Sequence, residues 1–135
     1  FQISGQLLFP TGSQAIPKPP GRSGKLIKHT CSMIIYNVTI NVEPEIRDAW
    51  LKWMQQTHIP EMLATGKFHE ARICRVLVEE ETGGYTYAVQ YSTSSKKLLE
   101  DYYREDAERM RQEGIDRFGK KFVAFRTELE VISEH

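Results

Sequence analysis

Only two cysteines, Cys31 and Cys74, occur in 135 residues. Neither sits in a Cys-x-x-Cys or Cys/His spacing, which excludes a disulfide framework and a zinc site of the usual kind. No His-Glu-x-x-His stretch and no glycine-rich phosphate loop is present. No apolar run approaches the roughly 20 residues that a membrane-spanning helix needs, and the opening FQISGQLLFPTG lacks the basic region and long apolar stretch of a secretory signal. A reduced, cytoplasmic setting fits these absences. Acid is missing from the first 32 residues, which carry Lys18, Arg22, Lys25 and Lys28. The whole chain balances 18 basic against 18 acidic residues, so the remainder holds 14 against 18 and is net −4. A domain of that sign gains little from neutralising phosphates, so neither nucleic acid nor a membrane surface is an expected partner. Nothing in the composition calls for a metal or a cofactor.

What is present begins at Met33. The stretch TGSQAIPKPPGRSGKLIKHTCS before it is rich in Pro, Gly and Ser and has no hydrophobic period, so it cannot offset its ordering entropy by burial. Residues 1–32 read as a disordered leader outside the native chain, with Met33 as its natural start; the alternative is a functional basic arm. From Met33, MIIYNVTINV alternates as a half-buried strand. Pro44 suits a first helical turn, and Ile46, Trp50, Trp53 and Met54 recur at helical spacing. FHEARICRVLVEEE and YTYAVQYS are β-rich runs joined through TGG, a hairpin signal. Ser94 or Ser95 can cap a long helix with Leu99, Tyr103, Ala107 and Met110 as its apolar stripe and Gly119 past its end. FVAFRTELEVI closes the chain as a last strand.

The order βαββαβ predicts an α+β, ferredoxin-like domain over 33–135, a four-stranded antiparallel sheet with two helices on one face. The helices should cover the more apolar parity of each strand: Tyr36, Val38 and Ile40; Tyr85, Tyr87, Val89 and Tyr91; Val123, Phe125 and Leu129. The open face would then show Asn37, Thr39 and Asn41, Thr86, Ala88 and Gln90, and Ala124, Arg126 and Glu128. The strand within 67–81 is apolar at both parities, which suggests a covered sheet and a homodimer packed sheet to sheet. RNA-binding by stacked aromatics is excluded by parity, because the core would then consist of Asn37, Thr39, Thr86 and Gln90.

Over that polar face a small polar or anionic ligand is expected, lined by Asn37, Thr39, Gln90 and Arg126, with the Arg126 fork suited to a carboxylate. His58 lies where Pro60 must end or kink the first helix. It either caps the helix C-terminus as a cation or, aided by Glu61, acts as the catalytic general base at a pocket mouth. His58, His69, Glu61 and Glu70 are metal-competent types, but the kink removes ligand geometry. Cys74 reads as a small buried hydrophobe.

MIIYNVTINV, WLKWM, HIPEMLATG, YAVQY and KFVAFRTELEV together resemble a bacterial domain-of-unknown-function family, number four-two-eight-six, over essentially all of 33–135. More distantly, HIP at the helix end and the βαββαβ order are similar to the dimeric α/β barrel superfamily, with its cofactor-free monooxygenases, haem-degrading enzymes, and lyases or isomerases. That resemblance implies a barrel-like dimer with a pocket between helices and sheet. Haem-degrading members carry a histidine on the second helix, and none is present here. Three functions follow as expectations: a ligand-binding domain, a cofactor-free oxygenase or isomerase with His58 as base, and a structural or regulatory interaction module.

Overall fold

The computed structural model describes residues 33–78 and 83–135; the leader expected at 1–32, with Cys31, lies outside the described residues. Strand β1 (Ile34–Val42) leads through a 3-10 turn (Pro44–Ile46) into α1 (Arg47–Trp53), a π turn (Met54–His58) and α2 (Ile59–Ala64). Then follow β2 (Glu70–Arg75), β3 (Tyr85–Thr93), α3 (Lys96–Glu105), α4 (Ala107–Phe118) and β4 (Phe122–Glu130). The sheet order is β2-β3-β1-β4, and each neighbouring pair is antiparallel. This is the expected ferredoxin-like arrangement, with each expected helix divided in two.

Strict alternation makes β1 the centre of the sheet. Ile34, Tyr36, Val38, Ile40 and Val42 are buried and the residues between them are half-buried, the period of two that a pleated strand imposes. Val89 and Tyr91 of β3 face the same way, and Trp50, Trp53 and Met54 close over them from the first helix. Aromatic contacts fill one end of this core: Tyr36 lies 5.9 Å from Phe68 and 5.5 Å from Tyr102, ring centre to ring centre. Rings of this size bury more apolar area than any other side chains and gain further from their offset and tilted contacts.

The helices depart from the sequence pattern at two points. Pro60 was expected to end or kink the first helix, yet the helix continues. Ile59 N–H reaches back five residues to the Met54 carbonyl, and the π turn passes the chain into α2 with Pro60 in its first turn, where a missing donor costs little. The second helix breaks at Asp106, whose φ of −126° and ψ of −27° are not helical. Lys67 Nζ donates to Asp106 Oδ2 at 2.7 Å, and Arg109 Nη2 donates to Oδ1 at 3.0 Å. Ser95 caps α3 by accepting from Leu98 N–H at 3.1 Å. The inward stripe is Leu99 and Tyr102 before the break and Met110 and Gly114 after it; Tyr103, assigned to that stripe from spacing, is exposed instead.

The last strand has the opposite parity to the one expected. In register, Val38 sits opposite Arg126, Ile40 opposite Ala124, and Val42 opposite Phe122. Ala124, Arg126 and Glu128 therefore belong to the helix side, whereas Val123, Phe125 and Leu129 lie on the open face, where they are 54%, 53% and 42% exposed. On β2, Ala71 and Ile73 pack against the core while Cys74 is exposed. That settles the ambiguous strand and corrects the reading of Cys74 as buried.

Candidate functional site

A cavity of about 70 Å³ opens between the helix layer and the sheet. Its apolar walls come from β1 (Val38, Ile40), α1 and the π turn (Trp53, Met54), α2 (Met62) and α4 (Met110). The residues with polar side chains that line it are His58, the tyrosines Tyr36, Tyr91 and Tyr102, and the arginines Arg111 and Arg126. Gly114 of α4 borders it as well: a Cβ there would stand 3.5 Å from Phe122 and 3.7 Å from Trp53, in ordinary van der Waals contact with both rings.

His58 is the last residue of the π turn. Its ring stacks on Trp53 with centroids 4.7 Å apart and planes 28° from parallel, and Arg117 lies over the same indole at 5.9 Å. Burial withdraws water from the imidazole and lowers its pKa to about 4, while Glu61 one turn on opposes the shift. His58 is thus neutral near pH 7 and does not serve as a cation at a helix end, because the helix does not end there. Its Nδ1 is buried without a hydrogen-bond partner. Nearby, Glu113 is held above the usual carboxyl range by burial and then by a hydrogen bond with Glu61.

The two arginines form the polar rim. Burial raises the Tyr102 phenol, as does neighbouring Tyr36, while Arg126 and Arg111 act on the same phenol in the opposite sense, so both lie near it. Neither arginine forms an ion pair with a carboxylate among the described residues. Glu128, the next residue of the same parity on β4, is engaged elsewhere: it accepts from Lys96 Nζ at 2.8 Å and from the Tyr103 hydroxyl, and these bonds hold its carboxyl below the usual range.

The four residues expected to share a ligand do not converge. Arg126 joins the cavity on the helix side, whereas Asn37, Thr39 and Gln90 project from the open face. There Asn37 Nδ2 donates to Thr39 Oγ1 and to Thr127 Oγ1, each at 3.3 Å, and Gln90 is in register with Asn37 and with Arg72. His58 and Arg126, placed apart from sequence, line one cavity. Arg111 and the tyrosines escaped sequence reasoning, because in isolation Arg111 looks like one more charge on a solvated helix. The signal available was its spacing of four from Ala107 and three from Gly114, which sets the three on one side of the helix. No group of three or more His, Cys, Asp or Glu that could hold a metal exists among the described residues, and no described helix is long and apolar enough to cross a membrane.

A ferredoxin-like sheet covered by helices on one face, with a cavity between the layers, defines the class of protein. The chain belongs to the family described as Domain of unknown function (DUF4286), whose model matches residues 33–132. No curated protein matches it. Among solved structures, the fold is similar to that of a dimeric ferredoxin-like protein from an uncultured marine organism, with a TM-score of 0.59 at 10% identity over 77% of this chain and 99% of that one. It is also similar to an ethyl tert-butyl ether d (EthD) family protein from Bacillus halodurans, with a TM-score of 0.53 at 14% identity over 70% of this chain and 96% of that one.

Proposed function

We propose that the protein binds a small organic anion, a short-chain carboxylate, in the cavity between helices and sheet. The observation that carries this reading is the pair Arg111 and Arg126, two guanidiniums without a carboxylate partner among the described residues, at the rim of a cavity with apolar walls. Guanidinium forks match a carboxylate with two parallel hydrogen bonds, and the apolar wall accepts the hydrocarbon end. Propanoate titrated into the full chain should perturb NMR signals of cavity residues such as Met110 and Tyr102, and Arg126→Gln should weaken binding about tenfold, as expected for a hydrogen bond to a charged group. The absence of cavity-centred shifts, or an unchanged affinity in the variant, would overturn the reading.

The same proposal assigns the open face to a second copy of the chain. Val123, Phe125 and Leu129 form an exposed apolar row on the edge strand, beside the polar row of Asn37, Thr39 and Gln90. An isologous sheet-to-sheet contact would cover both at once. The dimeric ferredoxin-like structure above lends support. A second reading, a cofactor-free oxygenase or isomerase with His58 as base, is favoured by His58 and Arg126 lining one cavity, but an imidazole with a pKa of about 4 is a weak base at neutral pH.

A further inference from the structure

The orientation of His58 says more about the ligand than its presence does. A neutral imidazole carries one donor nitrogen and one acceptor nitrogen. Nδ1 is closed to water and has no hydrogen-bond partner. A nitrogen stranded in that way is less costly as a bare lone pair than as an N–H, because buried N–H groups without acceptors are the rarer and more expensive defect. The single proton therefore belongs on Nε2, the ring nitrogen left to meet the cavity that His58 lines. The polar rim then offers donors from Arg111, Arg126 and His58 alike.

Resting on the anion-binding reading above, we propose that His58 acts as a hydrogen-bond donor and not as a base. Its Nε2–H meets a second oxygen acceptor on a short carboxylate whose charged end is held by Arg126 and Arg111. Size fits this class. An apolar cavity of about 150 Å³ takes up benzene, so a cavity of about 70 Å³ suits an acid of only a few carbon atoms. Tyrosine hydroxyls can accept as well as donate, so the selective element is His58, which in this tautomer can only donate.

The test compares pyruvate, which carries a carbonyl acceptor beside its carboxylate, with propanoate, which has the same carbon skeleton without it. The full chain should bind pyruvate about fivefold more tightly, the amount one added neutral hydrogen bond contributes. His58→Leu should equalise the two acids, and His58→Gln, whose amide Nε2–H can stand in for the imidazole donor, should restore the preference. Nitrogen-15 NMR of the imidazole in the free wild-type protein at pH 7 should report the neutral Nε2–H tautomer, a readout independent of how either variant folds. The Nδ1–H tautomer, or equal affinity of wild type for both acids with Arg126→Gln still weakening them, would overturn the donor role and leave anion binding standing. Failure of both acids to bind would overturn the anion reading and the donor role with it.

Discussion

The two faces of the sheet solve the same problem with different materials. On the helix side, alternate residues of β1 and β3 meet Trp50, Trp53 and Leu99, and the polar groups that intrude are concentrated around one cavity. On the open side, β1 and β3 present amides, hydroxyls and a small alanine, and apolar side chains appear only at the β4 edge and at Ile35. Burial inside one chain thus specifies the first face, whereas the second carries an apolar row that the single chain leaves exposed. The cost of a substitution should therefore depend on the face it falls on. Stability of the single chain should register changes on one, and assembly should register changes on the other.

The largest effect is expected from Trp50→Ala. Trp50 is 2% exposed and lies 5.1 Å from Tyr87, so its loss should lower unfolding free energy by about 4 kcal/mol, the scale of large aromatic truncations, as read by urea denaturation. Acid comes next, acting on the same face through His58. Its folded pKa, about 4, lies below the unfolded value of 6.5. Its contribution is therefore complete above pH 6.5 and is lost as pH falls toward 4, for a total of up to about 3 kcal/mol. Glu61, which acts on this ring, Glu113, bonded to Glu61, and Arg117, over the indole that the ring stacks on, modulate the profile. Across pH 7–4 the denaturation midpoint of wild type should fall further than that of His58→Leu if the imidazole is responsible.

On the open face, Val123→Asp should change the stability of the isolated chain by less than about 1 kcal/mol while halving the mass measured by light scattering, because a charge placed in an apolar sheet contact is left unpaired. A variant that stays dimeric would break the division between the faces. The smallest effect is expected from Thr127→Val, which removes one acceptor from Asn37 at an exposed position and should shift stability by under about 0.5 kcal/mol.

How much of this was legible in the sequence follows from the same division. The clean alternation of MIIYNVTINV fixed the inward face of β1, and the element order predicted the fold. FVAFRTELEV misled because apolar residues at alternate positions signal burial against something, and the sequence does not say against what. On β4 the inward positions beyond Phe122 and Ala124 are Arg126 and Glu128, whose long side chains reach the helix layer's own polar groups, Tyr102 on one side and Lys96 with Tyr103 on the other. The same limit hid the site: Arg126 was singled out for its chemistry and placed on the wrong side by parity. His58 was found because Pro60 drew attention to it, but a period of 3.6 could not anticipate a turn closed over five residues.

That wide turn makes the first helix one residue longer than its inward face requires. Trp50, Trp53, Met54, His58 and Met62 are spaced 0, 3, 4, 8 and 12; with one of the exposed Gln55, Gln56 or Thr57 removed, the spacing becomes 0, 3, 4, 7 and 11, a continuous α-helical stripe. Such a deletion would keep His58 over Trp53. It would also place Pro60 inside an unbroken helix, where its ring meets the carbonyl four residues back at a cost of about 3 kcal/mol. The supernumerary residue and the proline are thus matched parts. Removing the residue alone would set the proline inside a regular helix, replacing the proline alone would leave the wide turn without the ring that disfavours a regular one, and both changes together would return an ordinary helix.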